Sequence, residues 1–102
     1  MKVTLLGTGS PLPSATCAGP STLVQAANQN IVVDAGRGVI MRLIGAGCPP
    51  PFISAVVLTH LHSDHICDLN DIVTTRWIAS PAAIPLDVYG PKGTKRTVDG
   101  LI

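Results

Sequence analysis

A chain of 102 residues has room for one small domain, and a hydrophobic content of 46% places it among globular proteins rather than disordered ones. With a net charge of +1 and only 13% charged residues, it carries no strong electrostatic footprint for nucleic acid or a membrane surface. Three cysteines at irregular spacing (Cys17, Cys48, Cys67) fit neither a disulfide framework nor a CxxC zinc ribbon, so a reducing, cytoplasmic setting is expected, and no stretch approaches the roughly 18 apolar residues of a membrane span.

Val3 to Leu6 is a short aliphatic run stopped by Gly7-Thr8-Gly9-Ser10-Pro11, a first strand entering a turn. The glycines lack the spacing of a phosphate-binding loop and the third glycine of a dinucleotide fingerprint, so a tight structural turn is the reading taken over nucleotide binding. Ser10 to Pro20 is a Pro, Ser and Gly loop of a length often found at a functional rim. Ser21–Gln25 and Asn30–Asp34 read as a hairpin about the turn Ala26-Ala27-Asn28-Gln29. The continuous apolar run Ile31-Val32-Val33 predicts a strand buried on both faces, and an acid at its carboxyl end, Asp34, needs a partner there. Capping a helix that starts near Gly38 is the alternative role for Asp34.

Val39 to Ala46 has helical spacing with Gly47 as its stop, and Cys48-Pro49-Pro50-Pro51 predicts an extended linker. Arg37 and Arg42 could contact phosphate, although solvated surface positions are the ordinary reading. Ala55 to Leu58 is the next buried strand. Ile66, Leu69, Ile72, Val73 and Trp77 predict a helix from Ile66 to Ile78 that Ser80-Pro81 ends. Leu86 to Tyr89 is a further strand, Gly90-Pro91-Lys92-Gly93 a turn, and Thr94 is expected to cap a helix running to Ile102. With no helix stop or closing strand after it, the domain is expected to be cut midway.

Between strand and helix lies Thr59-His60-Leu61-His62-Ser63-Asp64-His65, which holds all 3 histidines of the chain. Imidazole nitrogen and carboxylate oxygen are donors that a zinc-like divalent ion accepts, and four of them fall within six residues. On a helix His60 and His62 would point about 200° apart, whereas in an extended segment residues i and i+2 face one side and can grip one ion. Asp64 would follow on that side, with His65 opposed, which suggests a second ion roughly 3.5–4 Å from the first as in two-metal hydrolases. Ligands gather at the carboxyl ends of strands in open α/β folds, so Asp34 and the histidine cluster are expected to form one site. All six acids are Asp, and any carboxylate chemistry falls to one of them.

These residues resemble the metallo-β-lactamase fold superfamily. His60-x-His62-x-Asp64-His65 matches its HxHxDH motif, and Asp34 matches its preceding acid. Gly7-Thr8-Gly9-Ser10, Asp34-Ala35-Gly36-Arg37-Gly38 and Tyr89-Gly90-Pro91-Lys92-Gly93-Thr94 are similar to the ribonuclease Z and arylsulfatase-like branch. The resemblance implies an α/β fold in layers, the amino-terminal half of an αββα sandwich over residues 1–102, with the carboxyl-terminal half absent. It implies two zinc ions, with manganese or iron as alternatives. His60 and His62 would ligate one, Asp64 and His65 the other, and Asp34 would brace the loop from behind. Asp64 would also take a proton from the attacking water. The later ligands of the family lie outside this chain, so waters, Asp68, Asp71 or Cys67 would be improvised substitutes, and the chain alone is expected to be inactive. The implied activity is that of a ribonuclease Z-like phosphodiesterase, an endonuclease trimming the 3′ side of precursor tRNA. The alternatives are an arylsulfatase-like or esterase-like hydrolase of small ester substrates and a non-catalytic interaction module. A homodimer is expected, formed through the edge that a missing half would expose.

Overall fold

The computed structural model describes residues 1–82 and 84–101. Among the described residues five strands and four α-helices follow in the order β1 (Lys2–Gly7), β2 (Ser21–Ala26), β3 (Gln29–Val33), α1 (Val39–Gly45), β4 (Ala55–Val57), α2 (Ser63–Ile66), α3 (Leu69–Ala79), β5 (Asp87–Tyr89) and α4 (Thr94–Leu101). The strands form one sheet in sequence order; β1–β2 and β2–β3 pair antiparallel, β3–β4 and β4–β5 parallel. The antiparallel pair β2–β3 is the hairpin predicted, with Ala27 and Asn28 both at positive φ as a tight two-residue turn demands.

Successive side chains of a strand face opposite sides, and here the two sides differ. Leu23, Val32 and Val56 are fully buried and share one apolar cluster with Val39 and Leu43 of α1 and Leu69 and Ile72 of α3. Each such buried side chain contributes about 1.5–3 kcal/mol. On the other side two rows cross the sheet: Val3, Val24, Ile31, Ala55 and Asp87, and Leu5, Thr22, Val33, Val57 and Tyr89. None of these ten is buried, and Leu5 is 69% exposed. β3 is thus covered on one face, where its apolar run predicted burial on both.

Three predicted elements differ from the structure. The proline-rich linker closes into a 3₁₀ turn over Pro50–Phe52, with Ile53 N–H donating to Pro50 O at 3.1 Å. The long helix is two: Ala35 N–H donates to His65 O at 2.7 Å and Asp68 N–H donates to Ala35 O at 3.0 Å, so one residue of the Asp34–Gly38 segment takes both groups and interrupts the helix between Ile66 and Leu69. Helix α3 is also rotated from its predicted face, because Trp77 is 75% exposed while Arg76 is 5% exposed.

Arg76 explains that rotation. Its guanidinium donates to Pro50 O (3.0 Å), Pro51 O (3.2 Å), Ile53 O (2.6 Å), Ile84 O (3.2 Å) and Pro85 O (3.2 Å). Proline-rich segments have carbonyls in excess of N–H groups, and an arginine offers five donors and no acceptor. Thr94 is the first residue of α4, its hydroxyl donating to Pro91 O at 2.7 Å; Ile102, the predicted end of that helix, lies outside the described residues.

Candidate metal centre

The Gly-Thr-Gly opening and the Asp34–Gly38 segment meet through Gly19. Gly9 N–H donates to Ala18 O (2.9 Å), Gly19 N–H to Arg37 O (2.8 Å) and Gly36 N–H to Pro20 O (3.0 Å). A Cβ on Gly36 would lie 2.5 Å from Pro20 N, and one on Gly19 would lie 2.5 Å from Arg37 N, so the two backbones approach as only glycines allow. This stacking fixes the segment that ends β3, and with it Asp34.

Asp34 has φ of 64°, in the left-handed region. For a residue with a Cβ this costs roughly 1–2 kcal/mol, least for Asp and Asn. Its carboxylate offsets that cost with three bonds: Oδ1 accepts from Thr59 N–H at 2.8 Å, and Oδ2 accepts from Thr59 Oγ1–H at 2.8 Å and from His65 Nδ1 at 2.9 Å. The alternative role of capping α1 is not the one it takes, since Gly38 holds the N-cap position of that helix.

The network settles two tautomers. Three donors converge on Asp34, so His65 must present Nδ1–H to it. Thr59 has a single hydroxyl hydrogen, and that hydrogen is spent on Asp34. At 3.0 Å from His60 Nδ1, Thr59 Oγ1 can therefore only accept, and His60 also carries its proton on Nδ1. In the neutral form of each ring Nε2 is then the free nitrogen, the state in which imidazole is a ligand.

The motif loop is extended only as far as His62, which has φ −64° and ψ 147° and stands as the N-cap of α2. Asp64 and His65 sit in that one-turn helix, closed by His65 N–H donating to His62 O at 2.9 Å. The side that Asp64 faces is therefore set by a helical turn and not by the predicted alternation. The rings of His60 and His62 meet edge-on with centroids 4.7 Å apart, and those of His60 and His65 lie 4.0 Å apart. Asp64 is 5% exposed and its Oδ2 lies 3.5 Å from His65 Nε2, longer than a well-formed hydrogen bond.

The donor chemistry fits a divalent cation. Two imidazoles have their Nε2 freed by hydrogen bonds at Nδ1, as in carboxylate–histidine–metal arrangements, and the buried carboxylate of Asp64 lies beside them, 3.5 Å from His65 Nε2. Among the described residues, no three His, Cys, Asp or Glu side chains close on one point as a complete set for an ion. Two of the improvised ligands make other contacts. Asp68 Oδ2 accepts from Ile40 N–H at 3.2 Å, supplying from a distant residue the bond that the N-cap Gly38 cannot give, and Cys67 Sγ lies 3.9 Å from Ala35 O. Burial, above all, raises the carboxyl of Asp68, and burial likewise raises the thiol of Cys67.

Thr59 is the site residue that sequence reasoning passed over. The signal was a hydroxyl next to the first motif histidine, two residues beyond a strand paired to the one that Asp34 follows. Cys17, Cys48 and Cys67 are all free thiols, and no helix among the described residues is long and apolar enough to cross a membrane.

Comparison with known proteins gives the family of the chain. The chain is 52% identical to ribonuclease Z of Mycolicibacterium gilvum, covering 100% of this chain and 36% of that protein. It is 49% identical to ribonuclease Z of Mycobacterium bovis, covering 100% of this chain and 37% of that one. The chain thus spans about a third of the length of these curated relatives. Among solved structures, human tRNase Z, short form, superposes with a TM-score of 0.86 at 29% identity over 98% of this chain and 38% of its own. A diphosphatase of the PhnP family shares the fold, with a TM-score of 0.76 at 22% identity over 98% of this chain and 45% of its own. The family pattern described as the metallo-beta-lactamase superfamily matches residues 15–101, and the chain belongs to that superfamily.

Proposed function

We propose that this chain is the metal-gripping half of one metallo-β-lactamase-like domain, in a zinc-dependent phosphodiesterase of the ribonuclease Z type that cuts precursor tRNA on its 3′ side. The observation that carries the reading is the Asp34–Thr59–His60–His65 network, which prepares two imidazoles as ligands beside a buried carboxylate. The identity to the ribonuclease Z relatives supports the choice of branch. His60 and His62 hold one zinc, and Asp64 and His65 hold the other. Since the donors of this chain come in pairs, further polypeptide of the kind its relatives possess completes each site, and the chain alone is inactive.

Two zinc ions, when bound, supply the Lewis acidity that turns water into a nucleophile near neutral pH. The protein's own part is to orient and to move protons. Asp34 keeps His65 from turning its protonated nitrogen toward the site and, through the Thr59 hydroxyl, does the same for His60. Asp64, buried and short of hydrogen-bond partners, is the carboxylate placed to take the proton of the attacking water. Strand β4 excludes solvent from behind, with Val56 and Leu58 buried beneath the loop.

The uncovered side of the sheet, with Val3, Val24, Ile31, Val33 and Val57 across its rows, supports burial against a second sheet, or against a second copy when this chain is alone. The free thiols support a reducing, cytoplasmic setting.

The test is a precursor tRNA transcript incubated with the polypeptide at the length of its relatives. Zinc-dependent cleavage on the 3′ side, abolished in His62→Ala, is the expected result. A well-folded, zinc-loaded protein that leaves the transcript intact but hydrolyses a chromogenic aryl ester would replace this reading with the small-ester one.

A further inference from the structure

Thr22 pairs with Val33 in the β2–β3 ladder, and two positions back along the chain from Thr22 the carbonyl of Pro20 accepts from Gly36 N–H at 3.0 Å. Between these two pairings one side has a single residue, Ser21, and the other has two, Asp34 and Ala35. Two residues opposite one make a β-bulge, the device by which a strand re-aims a side chain beside a site. Asp34, at φ of 64°, is the residue re-aimed here, and Ser21 is the residue set across from it.

Ser21 shares the covered side of the sheet with Leu23, two residues on, and is 4% exposed. Its Oγ is shut off from solvent, and no group among the described residues bonds to it. A buried hydroxyl without a partner destabilises a fold, and native chains keep few of them. An alanine would occupy the same place without that cost. The carboxylate opposite has a lone pair to spare: Asp34 Oδ1 accepts from Thr59 N–H alone, whereas Oδ2 accepts two bonds. Side chains opposed on one face of a ladder have Cβ atoms about 4.5–5.5 Å apart, and a serine hydroxyl changes direction by rotation about χ1 alone.

We infer that Ser21 is a further positioning residue of the metal centre: its hydroxyl, on turning about χ1, donates to Asp34 Oδ1. Held by Thr59 N–H and by Ser21 at one oxygen, the carboxylate cannot swing about χ2 and exchange the oxygens it offers to Thr59 and His65. Ser21 thus acts on His60 and His65 only through Asp34. The inference deepens the reading of the histidine loop as a metal centre and rests on it, but its first readout needs neither metal nor substrate.

That readout is the imidazole ¹H–¹⁵N spectrum of the metal-free chain above the histidine titration range. Ser21→Ala should raise the Nε2–H share of His65 above that of the parent, by less than Asp34→Ala does. Zinc affinity, read by competition with a chelator, should fall about fivefold in Ser21→Ala, less than the roughly 10–100-fold expected for a residue that contacts the ligand directly. In an Asp34→Asn background the same substitution should cost nothing more, because the group through which it acts is already altered. Ser80, whose Oγ is also buried and without a partner, lies at the far end of α3, and Ser80→Ala should leave both readouts as in the parent. Ser21→Cys fills the same space with a weaker donor and should fall between parent and Ser21→Ala; it carries the test if the alanine variant fails to fold. An unshifted His65, zinc held as tightly as in the parent, or an equal loss in both backgrounds overturns the inference. A shifted His65 in a protein that never cleaves precursor tRNA would refute the proposed function and leave Ser21 in its role, whereas cleavage with His65 unshifted would do the reverse.

Discussion

Asp34 Oδ2 and His65 Nδ1 lie 2.9 Å apart across 31 residues of sequence, and the bond between them decides which nitrogen of His65 faces the site. The aspartate stands at the end of β3 and the histidine in α2, so the parallel pairing of β3 with β4 is what brings them together. The same carboxylate reaches His60 only through Thr59.

Replacing Asp34 by Asn keeps a residue that tolerates φ of 64° and removes the charge that holds both tautomers. Zinc affinity should fall roughly 10–100-fold, as for other residues that orient metal-ligating histidines, with the far-ultraviolet circular dichroism unchanged. A competition titration against a chelator reads this directly, and an unaltered affinity would remove Asp34 from the account of the site.

Arg76→Ala leaves Pro50, Pro51, Ile53, Ile84 and Pro85 without their donor and empties a buried volume. A loss of about 3 kcal/mol in urea unfolding is expected. Arg76→Lys should recover only part of it, because one ammonium cannot span five carbonyls in a planar fork.

Gly36→Ala drives a Cβ into the backbone of Gly19 and Pro20. Backbone atoms cannot rotate away as a side chain would, so the cost should be about 2–3 kcal/mol. Gly45→Ala, where an added Cβ meets nothing within 4 Å, is the contrasting case and should be neutral or stabilising by up to about 1 kcal/mol.

Asp68 gives a pH dependence whose sign can be worked out. Burial, as the largest influence, raises its folded-state pKa above the ordinary value, with the Ile40 N–H opposing. The folded chain therefore holds this proton more tightly than the unfolded one. The group favours folding below the unfolded pKa of roughly 3.9, and that contribution is lost as pH rises through the folded value. Asp68→Asn keeps an acceptor for Ile40 and cannot ionise. Its stability relative to the parent should rise with pH through the range just above 3.9 and level off before neutrality. Paired unfolding curves from pH 3.5 to 7 measure it, and an advantage that grows on acidification would reverse the assignment.

Much of this was legible in the sequence because local pattern and tertiary demand agree there. The strands β1 to β5 follow from short apolar runs that end at turn residues, at Asp34 or at the motif loop, and the clustered histidines name that loop. What the sequence hid involves groups whose partners are far along the chain. Helix α3 could not be phased from its apolar residues, since Arg76 is drawn inward by carbonyls of two distant proline-rich segments. The break between α2 and α3 has no Gly or Pro to announce it; Ala35, separated from it in the chain by α1 and β4, takes the helical bonds. Thr59 looks like any residue after a strand until the position of Asp34 is known. The alternation argument for Asp64 failed for a related reason, because a loop bonded to Ala35 turns helical at Ser63.

The central claim is that Asp34 fixes His60 and His65 with their protons on Nδ1 and their Nε2 lone pairs free. Long-range ¹H–¹⁵N correlation spectra of the imidazole rings, recorded on the metal-free protein above the histidine titration range, separate the two tautomers. The account predicts the Nδ1–H form for both His60 and His65, shifting toward the Nε2–H form in Asp34→Ala. An Nε2–H form at either histidine in the parent protein would contradict it.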